Sequence, residues 1–236
     1  MTSKKACEYR ELLRTGKWFH GLPANVQDTL LEISTVETLK PNERVFAVGD
    51  APNGIFGVVE GSIRLSSLAS DGTPVLLTLA ERPQWIGEIA LFDGQPRSHD
   101  AFAETDAIVI HAPQRAIDAW LERDPRVWRN LGTLLTVKMR LVLLALTDAT
   151  TLPLGTRLAQ RLAHMATGYG DLRIGTLRVV SVSQEQLAAM LWTSRQSVNR
   201  ALKSLEESGL VSVSYHGIEI LDIEGLRTAA SCSREH

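Results

Sequence analysis

A chain of 236 residues, 44% hydrophobic and 22% charged, has enough apolar content to bury one large core or two modest ones, which excludes a disordered or fibrous protein. Cys7 and Cys232 lie near opposite ends and exclude a disulfide framework and a four-cysteine zinc or iron–sulfur site within one chain. The longest purely aliphatic run, residues 141–146, is far short of the roughly 20 that cross a bilayer, and the N-terminus lacks a signal-like apolar segment, so the expectation is a cytoplasmic protein with no membrane partner. Charge divides unevenly. Residues 1–149 hold 16 Lys+Arg against 19 Asp+Glu, net −3; residues 150–236 hold the remaining 25 − 16 = 9 against 27 − 19 = 8, net +1. Neither half is basic overall, so nucleic-acid binding has to rest on where the cations sit.

In chain order, residues 9–31 read as short helices broken at Gly16, Gly21 and Pro23. From Thr35 to His111 short alternating segments follow, at 44–48, 55–59, 63–68, 75–79 and 107–110, separated by turn signals such as Gly49-Asp50, Glu60-Gly61 and Asp71-Gly72. Many short strands at this spacing predict an antiparallel sandwich or barrel. Asp124-Pro125 then opens a long helical stretch to Asp148. Leu131, Leu135, Val142 and Ala145 form a seam of roughly heptad spacing along it, interrupted by Lys138. That pattern fits a core helix of one domain and a dimer helix equally well. Residues 147–153 read as a hinge, followed by a helix at 155–166, a hairpin-like stretch at 173–182, helices at 184–191 and 194–208, and a last hairpin.

The last of these segments carry the clearest chemistry. Ser183-Gln184-Glu185-Gln186 is a capping-box pattern, and Thr193-Ser194-Arg195-Gln196 is a second one after a short turn. Two helices so joined make a helix-turn-helix. On the second helix Arg195, Gln196, Asn199, Arg200 and Lys203 share one face, with Val198, Ala201, Leu202 and Leu205 opposite. Arginine matches guanine O6/N7 and an amide matches adenine N6/N7, which is the chemistry of major-groove reading. Val211, Val213 and Tyr215, then His216-Gly217, then Ile218 and Ile220 make a wing beside it. Further upstream, residues 85–98 (WIGEIALFDGQPRS) combine a helix start near Gly87 with Glu88 and Arg97, and so suit an anion and a ribose hydroxyl; a surface ion pair between Glu88 and Arg97 would serve nearly as well.

The block at 85–98 resembles the phosphate-binding cassette of cyclic-nucleotide-binding domains. Gly49-Asp50, Ile55-Phe56, Val58 and Glu60-Gly61-Ser62-Ile63-Arg64 match the early strands of that domain, and residues 193–200 resemble the recognition helix of the same bacterial regulators. Nearly the whole chain, from Phe19 to Asp222, is thus similar to the cyclic-AMP receptor protein / FNR family. The resemblance implies an α+β fold: an antiparallel β-roll with N-terminal helices at 1–123, a dimerisation helix and hinge at 124–149, and a winged helix-turn-helix at 150–236. Gly87 and Glu88 would hold the ribose and cyclic phosphate, and Arg97 and Ser98 the phosphate. At the dimer-helix position where the family's best-known member reads adenine through Thr-Ser, an ungapped count gives Val142-Leu143, which leaves a base apolar contact only. Arg195, Gln196 and Arg200 would face bases, with Ser197, Asn199 and Lys203 completing the DNA-binding set. The expected protein is a homodimeric, allosteric transcription regulator of pseudo-palindromic DNA, gated by a cyclic nucleotide (cAMP, cGMP or a cyclic dinucleotide), with RNA polymerase open as a further partner. A constitutive DNA-binding regulator whose roll is a scaffold, and a cyclic-nucleotide receptor acting on protein partners, are the alternatives. The histidines show no metal spacing and no nucleophile motif stands out, so neither an enzyme, a metal site nor a cofactor is expected.

Overall fold

The structure, a computed structural model, describes residues 5–68, 74–169, 172, 179–214 and 217–231. The chain divides into two compact units, residues 1–139 and 140–236. The expected turn at Asp71-Gly72, Tyr215 and His216 of the expected wing, and residues 173–178 of the expected hairpin lie outside the described residues.

In the first unit a 3-10 turn (Ala6–Tyr9) leads into helices α1 (Arg10–Leu13), α2 (Lys17–Gly21) and α3 (Ala24–Glu32). Strands β1 (Thr35–Leu39), β2 (Arg44–Phe46), β3 (Gly54–Glu60), β4 (Ser62–Leu68), β5 (Pro74–Glu81) and β6 (Trp85–Ile86) follow, then α4 (Glu88–Asp93), β7 (Asp100–Ala103), β8 (Ala107–Pro113) and α5 (Gln114–Arg123). They form two antiparallel sheets in the orders β1-β8-β3-β6 and β2-β7-β4-β5. The core between the sheets holds Phe46, Phe56, Val58, Ile63, Ile86, Ala101 and Val109. A second core lies on the other face of the first sheet, where Ile55, Val59, Trp85 and Ile110 meet Leu13, Phe19, Leu30, Ile117 and Trp120 of the helices. Both faces of β3 are therefore covered, and this is why its sequence, GIFGVVE, is apolar up to its exposed last residue, Glu60, instead of alternating.

Helix α6 (Val127–Thr151) starts in the first unit and ends in the second. The expected break at Thr147 does not occur. Thr147 Oγ1 donates to the Leu143 carbonyl at 3.1 Å, and Thr150 and Thr151 donate to the Thr147 carbonyl at 2.8 and 2.9 Å. The polar run thus satisfies itself on the helix's own carbonyls, and the helix continues until Pro153 stops it. Its apolar residues also divide differently from the expected seam. Leu131 and Leu134 are buried in the first unit's core. Met139, Val142, Leu143 and Leu146 are exposed. By length and composition α6 would pass for a membrane-crossing helix, with a mean hydropathy of 1.4, because such a span tolerates the cations that a purely aliphatic run excludes.

The second unit continues with α7 (Leu154–Ala166), β9 (Val179–Val180), α8 (Gln184–Met190), α9 (Arg195–Glu207), β10 (Val211–Ser214), β11 (Gly217–Ile220) and α10 (Ile223–Ser231). Leu158, Leu162, Leu187, Val198, Leu202, Val211, Ile218 and Leu226 are buried there. Val211 pairs with Ile220 and Val213 with Ile218 in the expected wing, and β9 adds a third strand to it.

Candidate functional site

A cavity of about 60 Å³ opens in the first unit, lined by residues from β2, β4, β6, α4, the segment Arg97–His99 and Lys138 of α6. Its most unusual occupant is Arg97, a cation only 4% exposed. The guanidinium is held by carbonyls. Nη1 donates to Gly87 O at 2.6 Å, Nη2 to Gly54 O at 2.5 Å and to Asn53 Oδ1, and Nε to Asn53 Oδ1 at 3.1 Å. Its carbon lies 4.3 Å from the centroid of the Phe46 ring, a cation–π contact. Burial pulls the Arg97 pKa below its ordinary value, against the pull of Glu88 and Asp50. Of the five N–H donors of a guanidinium, one on Nη1 has no partner among the described residues. The fork is committed to these oxygens, and Arg97 is one of the residues that line the cavity.

Gly87 makes this approach possible. It precedes α4 at φ +93, and a Cβ there would stand 2.9 Å from Gly54 O and 3.0 Å from Arg97 Nη1. Only glycine combines that backbone with that clearance. Glu88, the first residue of α4, is 4% exposed. The Glu88–Arg97 ion pair that stood as the alternative to an anion site is not formed: Lys138 Nζ lies 2.8 Å from Glu88 Oε2 and 2.6 Å from the Trp85 carbonyl. Lys138 reaches the carboxylate from α6, whereas Arg97 is already turned to the carbonyls of residues 54 and 87. Ser98 is exposed, with Oγ 2.7 Å from His99 Nδ1, and both line the cavity. Burial lowers the His99 pKa. Val142 and Leu143 are exposed and are not among the lining residues.

Asn53, Phe46 and Lys138 went unassigned in the sequence. Asn53 is 44 residues from Arg97 and Lys138 is 50 from Glu88. The one available signal was Lys138 itself, a cation interrupting an apolar seam. A further link joins the arginine to the sheet. His111 stacks on Phe56 at 4.2 Å, its Nδ1 lies 2.6 Å from Glu37 Oε1, and its Nε2 lies 2.8 Å from the backbone carbonyl of Asn53. Burial disfavours its imidazolium, but the hydrogen bonds to Glu37 and Asn53 outweigh that and raise its pKa above 6.5.

In the second unit Ser183 caps α8, accepting from Gln186 N–H at 3.1 Å while Gln186 accepts from Ser183 N–H at 2.9 Å. The second cap differs from the expected one. Ser194, not Thr193, is the N-cap of α9 and accepts from Ser197 N–H at 3.1 Å. The extended backbone at Ser194 brings its hydroxyl over the first turn, so Gln196 falls one position short of the reciprocal glutamine of a capping box. Arg195, Gln196, Arg200 and Lys203 are exposed, Ser197 and Asn199 are half-buried, and Val198, Leu202 and Leu205 are buried on the opposite face. Arg200 Nη2 lies 3.4 Å from Ser197 Oγ. Glu206, the first acid after that polar face, accepts from Val213 N–H at 2.9 Å and so joins α9 to the wing.

Comparison with known proteins agrees with this division. The cyclic nucleotide-binding domain family matches residues 36–124, and the Crp-like helix-turn-helix domain family matches residues 156–229. A CRP-like cAMP-activated global transcriptional regulator of Mycobacterium tuberculosis is 27% identical over 79% of this chain and 84% of its own length. A cyclic AMP receptor protein of Thermus thermophilus is 28% identical over 86% of this chain and 91% of its own. FixK2 of Bradyrhizobium japonicum shares the fold, with a TM-score of 0.71 and 19% identity over 83% of this chain and 96% of that one. With both domain families present in this order, and relatives matched along most of their length, the chain belongs to the cyclic-AMP receptor protein / FNR family of DNA-binding transcription regulators.

Proposed function

We propose that the chain works as a two-fold homodimer whose affinity for duplex DNA is set by a cyclic nucleotide bound in the cavity beside Arg97. The observation that carries this reading is a nearly fully buried guanidinium with one N–H directed to no protein group and no carboxylate paired with it among the described residues. Such a cation invites an anion. A cyclic phosphate would meet Arg97 and Ser98, and Glu88 would accept from the ribose hydroxyl, with Gly87 leaving room for both. Lys138 then couples the cavity to α6, because a ligand hydroxyl that takes Glu88 releases the amine on that helix. Val142 and Leu143 would meet a base through apolar contact and discriminate bases poorly. That two relatives are named for cyclic AMP supports a cyclic mononucleotide. Arg195, Gln196, Ser197, Asn199, Arg200 and Lys203 would read the DNA. The role is regulatory and not enzymatic, and it places the protein in the cytoplasm, with RNA polymerase as a partner of the DNA-bound dimer.

Calorimetry against cAMP, cGMP and cyclic dinucleotides tests the reading. One of them is expected to bind the wild type and to change its DNA affinity, and not to bind Arg97→Lys, which keeps the charge but loses the fork. A specific observation favours a second reading. Glu88 is already paired with Lys138, and four of the five N–H groups of Arg97 already have oxygen partners, so the roll holds both charges without a ligand and could act as a constitutive scaffold. If no nucleotide binds or alters DNA affinity, that second reading replaces the first.

A further inference from the structure

The turn between α8 and α9 has a backbone that usually requires glycine. Trp192 N–H donates to the Ala189 carbonyl at 3.3 Å and Thr193 N–H to the Ala188 carbonyl at 3.0 Å, the paired bonds of a Schellman closure. The residue past the end of the helix in such a closure is left-handed, and glycine is its usual occupant because a Cβ there crowds the following carbonyl. Here that residue is a tryptophan, at φ +51. The residue is 61% exposed, and its Nε1–H has no hydrogen-bond partner among the described residues. The backbone would be relaxed by glycine, and most of the residue's surface stays in solvent. A large, mostly exposed aromatic at a left-handed position is an unusual choice for folding alone.

Its neighbours supply one. Trp192 lies two residues before Ser194, the cap of α9, and three before the exposed Arg195. From residue 187 to residue 205 the chain has no Asp or Glu, while it has Arg195, Arg200 and Lys203. In helix-turn-helix docking the N-terminal residues of the second helix enter the major groove, so the turn before it meets the groove wall. We infer that Trp192 contacts DNA, its ring against a deoxyribose at the groove edge and its Nε1–H on a phosphate oxygen. The inference rests on the chain's place among DNA-binding regulators and adds a contact outside the polar face of α9. It supplies affinity and orientation, not sequence reading, since sugar and phosphate are the same at every base pair.

The test uses the full chain and duplexes that the wild type retains from a randomised library. Trp192→Gly is expected to raise the melting midpoint by about 2–4 °C, the change that roughly one relieved backbone strain gives in a protein of this size. It is also expected to weaken DNA binding about tenfold, with the slope against salt unchanged because no charge is removed. Trp192→Tyr, which keeps a ring and a donor, recovers most of the affinity without the gain in midpoint. Opposite signs for stability and binding are what a structural role cannot produce. Parallel losses of both overturn the inference and make the ring a prop of the turn. Unchanged DNA affinity also overturns it, and a loss of transcriptional output at that unchanged affinity would assign the ring to a protein partner. Arg195→Ala separates this inference from the DNA-binding reading. If it loses binding while Trp192→Gly does not, only the Trp192 contact fails; a wild type that retains no duplex sinks both.

Discussion

Arg97 shows how a residue can be buried and charged while, among the described residues, it forms no ion pair. Its carbonyl partners carry partial negative charge and hold the fork in one orientation, so removing it harms more than binding. Arg97→Ala is expected to cost about 2–4 kcal/mol in denaturant unfolding, because Gly54 O, Gly87 O and Asn53 Oδ1 lose their donors. His111 adds a pH dependence. Its pKa is raised in the folded protein, so its contribution is complete below about pH 6.5 and is lost as the pH rises through the raised value. Unfolding free energy measured between about pH 6 and 8 should fall with pH in the wild type and lose that slope in His111→Gln. His164 has the opposite sign: burial and Arg161 lower its pKa, so its contribution is lost as the pH falls below about 6.5. The sequence displayed Gly87, Glu88, Arg97 and Ser98 because they lie within one short block. It could not display Asn53, whose part in the site comes from a strand pairing far along the chain.

At the scale of elements, periodicity was readable and termini were not. The polar and apolar faces of α9 appear where helical spacing puts them, since exposure of Arg195, Gln196, Arg200 and Lys203 follows from burying Val198, Leu202 and Leu205. The cap shifted by one residue because Thr193 and Ser194 are both competent hydroxyls, and the choice between them lies in the backbone of the turn. Two-residue β6 and the four residues of β7 are too short to show alternation, and α6 ran on because threonine hydroxyls found helical carbonyls. The cap makes a prediction: Ser194→Ala should cost about 1 kcal/mol of stability in thermal or chemical unfolding. Arg195→Ala and Arg200→Ala should each cost about 1–3 kcal/mol on a selected duplex and relax preference at one position per half-site. Gln196, which the cap does not use, is expected to read a base too. Equal weakening on every sequence, with a shallower salt slope, would instead mean phosphate contact alone.

For the whole molecule the proposed dimer turns on α6. Leu135, Met139, Val142 and Leu146 are spaced by four, three and four residues, a heptad stripe left open because Leu131 and Leu134 face the roll's own core. Leu146→Asp places a charge on that stripe without touching the core. It should convert a dimer to a folded monomer in sedimentation and abolish binding to a two-half-site duplex, whose half-sites lie about 10–10.5 bp apart. A monomeric wild type would refute the stripe as an interface. Linkage between the two units is then a measurable quantity. The factor by which a nucleotide raises DNA affinity must equal the factor by which DNA raises nucleotide affinity.

Lys138 gives that coupling a set point. An amine already seated on Glu88 is a tethered competitor at very high local concentration, present in every molecule whatever the supply of effector. The apparent affinity for a nucleotide is then the intrinsic one reduced by the fraction of molecules in which the tether is open. Sensitivity can be tuned at this one side chain while every ligand-contacting group stays the same. Lys138→Met should lower the half-saturating nucleotide concentration in a titration, and a more persistent pair should raise it. In this reading the length and charge of a single side chain decide how much signal the regulator ignores before it responds.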